Sequence, residues 1–194
     1  MLENLKKYAV VLASNSPRRK ELLGRLGVPF TVRTLLGIDE RVPRDTPVAQ
    51  VAEMVARKKA EGYRTSIKEG ELIVCADTVV ALGEQVMGKP KSVDEAKDML
   101  RTLSGKWHSV WTGVSVFTTD KEVSFTAHSR VKFAELESDE IDFYVDNYVP
   151  LDKAGAYGIQ DWIGIVAVEE IEGSYFNVVG LPMQRLYQAL KAFN

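Results

Sequence analysis

The sequence predicts an α/β fold in which amphipathic helices cover a mixed, twisted sheet. Continuous apolar runs at residues 8–13 and 71–82 are typical of strands covered on both faces. Residues 123–133 alternate apolar and polar side chains, which indicates a half-solvated antiparallel strand. Between such strands, segments such as 92–103 carry apolar residues at helical spacing. The 194 residues suffice for one sizeable core and two lobes.

Composition excludes several classes of protein. A formal net charge of -2 at pH 7 argues against a protein that coats nucleic acid or a membrane surface, although a local basic pocket remains compatible with it. Cys75 is the single cysteine, so no intramolecular disulfide is expected, and its apolar neighbours indicate a core residue. No apolar run reaches the roughly 20 residues of a membrane span, and no signal peptide is recognised. We therefore expect a cytoplasmic, soluble protein.

The first strand leads through a polar turn into a helix whose first turn is positively charged. Ser16 is a good N-cap and Pro17 suits the first helical position. Arg18, Arg19 and Lys20 follow where the helix dipole is already positive, which is unfavourable by up to ~1 kcal/mol for each cation. They are either solvated surface charges or an anion site in which two arginines hold phosphate oxygens. Their place after a buried strand favours phosphate.

Asp77 interrupts the most apolar strand of the chain. Burial of a carboxylate is costly unless it is paired, hydrogen-bonded or bound to a metal. A structural aspartate bonded to backbone amides is one interpretation, and a metal ligand or general base is the other. We favour the functional interpretation.

Other charged and polar residues are ambiguous by themselves. Lys59 continues the apolar stripe of a predicted helix, so it either reaches back to solvent or meets an anion. Lys89, between a glycine and a proline, suits a phosphate contact or a solvated position equally. Asp39 and Glu40 form a carboxylate pair in a polar loop, where surface charges are common. Gln160 ends a glycine-punctuated segment and carries the donor and acceptor needed to read a base edge.

The remaining pattern predicts the other elements. Residues 29–35 and 163–171 are predicted strands. Thr46 is the predicted N-cap of the helix that carries Lys59, and Ser138 is the predicted N-cap of a later helix.

Taken together, these residues are the components of a nucleoside triphosphate site. Basic side chains can hold the phosphates, carboxylates can bind a hard divalent cation, and a base can activate water. The P-loop pattern GxxxxGK[ST] and the HExxH pattern are both absent from the sequence.

Residues 12–23, LASNSPRRKELL, resemble the opening signature of the Maf family of nucleotide pyrophosphatases. Later segments match further blocks of that family in the same order: 39–40 (DE), 76–80 (ADTVV), 88–91 (GKPK), 103–105 (LSG), 112–114 (TGV), 152–160 (DKAGAYGIQ) and 178–182 (VVGLP). This many blocks in register, over essentially the whole chain, make the resemblance specific.

The resemblance implies one Maf-like domain over residues 1–194, with two lobes around a cleft as in the inosine triphosphate pyrophosphatases. It implies a hydrolase that cleaves a nucleoside triphosphate to the monophosphate and pyrophosphate with Mg²⁺, Mn²⁺ or Co²⁺. We expect a homodimer with no nucleic-acid or membrane partner, and a house-cleaning role in removing non-canonical nucleotides.

The resemblance also assigns roles to residues. Asp77 is the expected proton acceptor and, with Glu40, the expected metal ligand, while Lys59 and Lys89 complete the catalytic set at the phosphates. The expected substrate-binding residues are Ser14, Arg18, Arg19, Thr78 and Gln160. Three of these, Arg18, Thr78 and Gln160, mark the branch of the family that resembles dTTP and UTP pyrophosphatases rather than the 7-methyl-GTP branch.

Two alternative functions stay open at this point. One is a pyrophosphatase for 7-methyl-GTP or non-standard purine triphosphates, and Asp161, where the family usually has glycine, bears on that choice because it adds a carboxylate beside Gln160. The other is a nucleotide-binding regulator of cell division or septum formation. Retention of both Glu40 and Asp77 favours turnover, because a pure binder gains nothing from an unpaired carboxylate near phosphates.

Overall fold

A computed structural model describes residues 2–194, and the chain divides into two compact units. The first unit comprises the chain up to Asp77 together with Thr112–Ala127 and Gly180–Asn194. The second unit comprises Thr78–Trp111 and His128–Val179. Each unit is therefore assembled from segments that are distant in the sequence.

Within residues 2–194, seven strands form one mixed sheet: β1 (Ala9–Leu12), β2 (Thr31–Val32), β3 (Glu71–Leu82), β4 (Gln85–Met87), β5 (Trp107–Phe117), β6 (Glu122–Phe133) and β7 (Val168–Glu172). Their order is β2-β1-β3-β5-β6-β7, and β4 pairs with β3 outside this order. β1 runs parallel to β2 and β3, whereas β4 is antiparallel to β3 and β7 is antiparallel to β6.

Seven α-helices lie between and after the strands: α1 (Pro17–Gly24), α2 (Val48–Tyr63), α3 (Val93–Leu103), α4 (Ser138–Tyr148), α5 (Trp162–Val166), α6 (Tyr175–Val179) and α7 (Met183–Lys191), all within residues 2–194. The predicted mixed α/β fold is confirmed. No helix in the described part of the chain combines the length and apolar character needed to cross a bilayer.

The most apolar strand is found where the sequence predicts it. β3 covers Glu71–Leu82, and Leu72 to Ala76 are fully buried. It pairs in parallel with β1, with Ala9 opposite Glu71 and Leu12 opposite Val74. Both faces of these paired segments are covered, which explains why their sequences are continuous apolar runs.

Two predicted boundaries near the N-terminus are wrong. The strand predicted at residues 29–35 covers only Thr31–Val32. After Val32, the backbone bonds to the Tyr63 hydroxyl instead of to a neighbouring strand. This hydroxyl donates to the Arg33 carbonyl at 2.6 Å and accepts from the Leu35 N–H at 3.1 Å. The helix predicted to start from Thr46 begins at Val48 with Pro47 as its N-cap residue.

The strand predicted at residues 163–171 is also wrong in its first half, which forms the short helix α5. The Gly164 N–H donates to the Asp161 carbonyl at 2.9 Å, and a Cβ on Gly164 would lie 1.8 Å from the Ile159 carbonyl oxygen. This close turn requires glycine, and a short apolar run cannot by itself distinguish helix from strand.

The N-cap predicted at Ser138 shifts by one residue. Ser138 is the first residue of α4, and Glu137 is its N-cap, because Glu137 and Glu140 form a reciprocal capping box.

Each unit has its own apolar core. That of the first unit joins β1, the residue directly after it, and β3 to α2 and β5. Its members are Val11, Ala13, Ile73, Cys75, Ala60, Tyr63 and Phe117. Burial raises the pKa of the Cys75 thiol to about 12, so the predicted assignment of this cysteine to the core is confirmed and the thiolate is disfavoured.

Gly113 lets β5 approach the backbone of α2 within the first unit. A Cβ at this position would lie 2.3 Å from the Ala52 carbonyl group and from the Glu53 nitrogen. Neither can move without displacing the helix, so we expect Gly113→Ala to lower the free energy of unfolding by roughly 2–3 kcal/mol. Urea denaturation followed by circular dichroism measures this change.

Gly88→Ala is the matched control, because no atom lies within 4 Å of a Cβ built there. Its free energy of unfolding should stay within about 0.5 kcal/mol of the parental value, which is the usual range for surface substitutions. A Gly113→Ala protein that unfolds at the parental urea concentration would contradict the close approach.

Candidate active site

Three side chains predicted to be catalytic lie together in the first unit. The Lys59 Nζ lies 2.7 Å from Asp77 Oδ1 and 3.4 Å from Glu40 Oε2. The side chain of Lys59 is only 15% exposed. The alternatives for this lysine are thus resolved: it meets anions and does not reach back to solvent.

The positions of Lys59 and Asp77 follow from the elements that carry them. Lys59 lies one helical turn after Val55, on the same face of α2 as the buried residues Val51 and Val55. Asp77 follows the five fully buried residues of β3, but its side chain is 21% exposed, so it is less buried than the apolar strand predicts. The reason is that β1 ends opposite Val74, three positions earlier.

Glu40 reaches this cluster because its loop is fixed to α2. The Ile38 side chain packs so closely on Gly62 that a Cβ there would lie 3.0 Å from two of its carbons. The Lys58 ammonium donates to the Arg41 carbonyl at 2.6 Å. The other carboxylate of the predicted pair, Asp39, is engaged by Arg41, whose guanidinium hydrogen bonds lower the pKa of Asp39 well below its usual range.

The turn before α1 has the predicted cap. The Ser16 hydroxyl accepts from the Arg19 N–H at 3.5 Å, and Pro17 is the first helical residue. Ser14 is buried, and its hydroxyl accepts from the Ser16 N–H at 3.2 Å. Arg18, half-buried beside them, is close enough that its charge lowers the pKa of Arg19, after the larger effect of burial. Positive charge is thus concentrated at the N-terminus of α1.

Arg19 links α1 to three other positions of the first unit by side-chain hydrogen bonds. Its Nε donates to the Gly180 carbonyl at 2.9 Å, and its Nη1 donates to the Ala76 carbonyl at 2.9 Å and the Ser14 hydroxyl at 3.4 Å. Ala76 directly precedes Asp77. The sequence predicts Arg19 only as a substrate ligand and misses this structural role, because backbone carbonyl acceptors leave no signal in the residue pattern.

The other predicted site residues belong to the second unit. Thr78 is its first residue and, next to Asp77 in β3, faces the opposite side of the strand. Lys89 is exposed in the loop after β4. Gln160 is exposed, and its side-chain nitrogen donates to Asp161 Oδ1 at 2.9 Å. Their predicted contacts with a substrate stay predictions.

The carboxylates of the first unit can be compared with the ligand sets that divalent cations use in proteins. No group of three His, Cys, Asp or Glu residues within residues 2–194 is arranged to hold a metal ion. Glu40 and Asp77 instead provide two carboxylates around one lysine. Mg²⁺ is commonly bound by one or two carboxylates, with waters and substrate phosphates completing its shell. The donor set therefore fits a magnesium-like ion.

Comparison with known proteins decides the family. The family model described as "Maf-like protein" matches residues 9–193. The chain belongs to the Maf family. A dTTP/UTP pyrophosphatase of Bacteroides thetaiotaomicron is 53% identical to this Maf protein over 191 residues, 98% of this chain and 99% of the relative. The dTTP/UTP pyrophosphatase of Parabacteroides distasonis is 51% identical over 193 residues and 100% of both chains.

A more distant relative and a solved structure match as well. The dTTP/UTP pyrophosphatase of Bacillus cereus is 43% identical over 192 residues, 99% of this chain and 92% of the relative. The structure of a HAM1 protein from Coxiella burnetii is 17% identical, covers 95% of this chain and 99% of that chain, and has a TM-score of 0.49. Membership of the Maf family rests on the sequence matches.

The bracing role of Arg19 can be tested with a substitution that keeps its charge. In the Arg19→Lys variant, the lysine cannot reach the Gly180 and Ala76 carbonyls at once, so at least one of them loses its donor. We expect a loss of roughly 1–3 kcal/mol in the free energy of unfolding. Chemical denaturation of the variant and the parent gives the difference.

Arg25→Lys, at the C-cap of the same helix, is the control, because Arg25 pairs across the surface with Glu21 and both side chains are more than 60% exposed. Its stability should change by less than about 0.5 kcal/mol. Equal stability of the Arg19→Lys protein and its parent would show that the three contacts do not brace the fold.

Proposed function

We propose that this Maf protein is a nucleoside triphosphate pyrophosphatase that hydrolyses dTTP and UTP to the monophosphate and pyrophosphate. Relatives that are about half identical over the full length carry that name. The observation that carries the proposal is the cluster of Lys59, Asp77 and Glu40, because it joins a base, a phosphate-binding cation and a second carboxylate.

In the proposed reaction, Asp77 accepts the proton of the water that attacks the α-phosphorus. The bond from that phosphorus to the oxygen bridging the α- and β-phosphates breaks, and pyrophosphate leaves with the electron pair. Lys59 orients the Asp77 carboxylate before substrate binds, and its ammonium then lies where it can also contact phosphate oxygens. Positioning and charge neutralisation supply most of the catalysis in such reactions.

We assign Glu40 and Asp77 as the residues that hold the divalent cation, with Mg²⁺, Mn²⁺ or Co²⁺ as candidates. The cation supplies charge neutralisation on the phosphate oxygens when it is bound. Ser14, Arg18 and Arg19, at the N-terminus of α1, are assigned to the substrate, as are Thr78, Lys89 and Gln160 of the second unit.

We also propose the cellular setting that the family suggests. The chain acts as one domain over residues 1–194, forms a homodimer in the cytoplasm, and removes non-canonical nucleotides. A role in septum formation would follow from that nucleotide chemistry and would need no separate site.

A panel of triphosphates tests the substrate. We expect kcat/KM for dTTP and UTP to lie within roughly tenfold of each other, since a methyl group discriminates weakly. Both should exceed 7-methyl-GTP and ITP by more than tenfold, with monophosphate and pyrophosphate formed in equal amounts. In H₂¹⁸O the label should enter the monophosphate, because water attacks the α-phosphorus. Highest activity on a purine triphosphate would contradict the assignment of dTTP and UTP as substrates. Label in the pyrophosphate would contradict attack of water on the α-phosphorus.

Asp77→Asn tests the base. Because the amide cannot accept the proton, we expect kcat to fall by about 10²–10⁴-fold. Binding of UMP, measured by calorimetry, should change only a few-fold. Asp120→Asn, in the exposed turn between β5 and β6, is the matched control and should retain full activity. Turnover by Asp77→Asn at the parental rate would remove Asp77 from the mechanism.

A further inference from the structure

Asp161, in the second unit, has hydrogen-bond partners that are unusual for an N-cap residue. It is the N-cap residue of α5, where an aspartate ordinarily accepts a hydrogen bond from the first turn of the helix and contributes about 1 kcal/mol. Its side chain makes no such bond. Instead, Oδ2 accepts from the Tyr144 hydroxyl at 3.0 Å and lies 3.7 Å from the Lys153 ammonium, while Oδ1 accepts from the Gln160 amide at 2.9 Å. The carboxylate is therefore directed at Gln160 rather than at its own helix.

The Tyr144 hydroxyl fixes this carboxylate in place. It accepts from the Gly158 N–H at 3.1 Å, so its own proton is available to Asp161. Burial raises the pKa of Tyr144, with the Asp161 charge contributing in the same direction, and the phenol therefore keeps its proton. Oδ2 of Asp161 faces the Tyr144 hydroxyl and Oδ1 faces the Gln160 amide, so both carboxylate oxygens have donors. These hydrogen bonds fix the orientation of the carboxylate.

The absence of a side chain at Gly158 makes room for the arrangement. A Cβ there would lie 2.5 Å from the Gln160 side-chain nitrogen and 2.6 Å from Asp161 Oδ2. The glycine is thus needed for the close approach of the amide and the carboxylate.

The carboxylate determines which way the Gln160 amide points. An ionised carboxylate only accepts hydrogen bonds, so the NH₂ group of Gln160 must face Asp161. One N–H is taken by Asp161, and the second N–H and the carbonyl oxygen remain for a ligand in a fixed order. Rotating the amide by 180° would bring its oxygen against the carboxylate, which is repulsive.

The order of donor and acceptor on this amide distinguishes two pyrimidines. Uracil and thymine present a carbonyl acceptor beside the N3–H donor, which pair with the amide N–H and the amide oxygen. Cytosine presents an amino donor beside the N3 acceptor, so it needs the amide in the opposite orientation. A glutamine whose side-chain amide rotates freely can pair with either uracil or cytosine. A glutamine whose amide is held in one orientation pairs with only one of these two bases.

We propose that Asp161 is a specificity-determining positioning residue, which holds the Gln160 amide in the orientation that reads uracil and thymine and rejects cytosine. The inference rests on the proposed function, because it requires Gln160 to face the base. It gives a role to a carboxylate that makes no hydrogen bond to the helix it precedes.

The test is the ratio of kcat/KM for UTP to that for CTP in three variants. Asp161→Asn keeps the size of the side chain and removes the charge, Asp161→Gly removes the whole side chain, and Asp142→Asn on α4 is the matched control. Asp142 pairs with Lys97 at 2.9 Å and lies in α4, which does not contain Gln160. We expect the ratio to fall about tenfold in both Asp161 variants, mainly through KM, and to stay parental in Asp142→Asn.

Calorimetric binding of UMP and CMP gives the same comparison without turnover. If Asp161 were only structural, its substitution would lower the affinities for UMP and CMP alike and leave their ratio unchanged. A change in the ratio of the two affinities therefore distinguishes a specificity role from a structural role. An unchanged UTP-to-CTP ratio in a folded Asp161→Gly protein, together with an unchanged UMP-to-CMP ratio, would overturn the inference. A parent that hydrolyses neither UTP nor dTTP would instead overturn the proposed function.

Discussion

The pairing of the Lys59 ammonium with the Asp77 carboxylate, at 2.7 Å, is the interaction on which the rest of the candidate site depends. Both groups lie on otherwise apolar surfaces, one on the inner face of a helix and one in the middle of a strand, directly after its fully buried residues. Either group alone would be costly there, whereas the pair offsets much of the desolvation of each. The same pair places a carboxylate beside an ammonium group, and the proposed function uses the first as a base and the second as a phosphate ligand.

The surrounding structure keeps these two groups in register. Because Gly113 has no side chain, β5 can lie against the backbone of α2. The Ile38 side chain packs on Gly62 of the same helix and so holds the loop that carries Glu40. Arg19 ties the N-terminus of α1 to the carbonyl that directly precedes Asp77. Two close glycine contacts and one guanidinium therefore hold a helix, a loop and a strand at one place, which suits a reaction that depends mainly on positioning.

The sequence predicts the parts of this site better than their contacts. The long strand and the capped turn before α1 can be predicted because periodicity and cap chemistry are local. The partner of Lys59 cannot, because a lysine on an apolar stripe has the same sequence whether it meets solvent or a carboxylate. The helix at 162–166 is missed because a five-residue apolar run fits either element. The bracing role of Arg19 is missed because its acceptors are backbone carbonyls.

Charge balance explains how the site can exist before substrate arrives. Glu40 and Asp77 carry two negative charges against the three positive charges of Lys59, Arg18 and Arg19. Lys59 is satisfied by the carboxylates, and Arg19 is satisfied largely by carbonyls, so neither is left desolvated without a partner. Under the proposed function, a triphosphate would bind by exchange of partners, since Lys59 already contacts the anionic oxygens of two carboxylates. In the proposed reaction, the resting ion pair keeps Asp77 oriented until phosphate oxygens replace that carboxylate as the partner of Lys59.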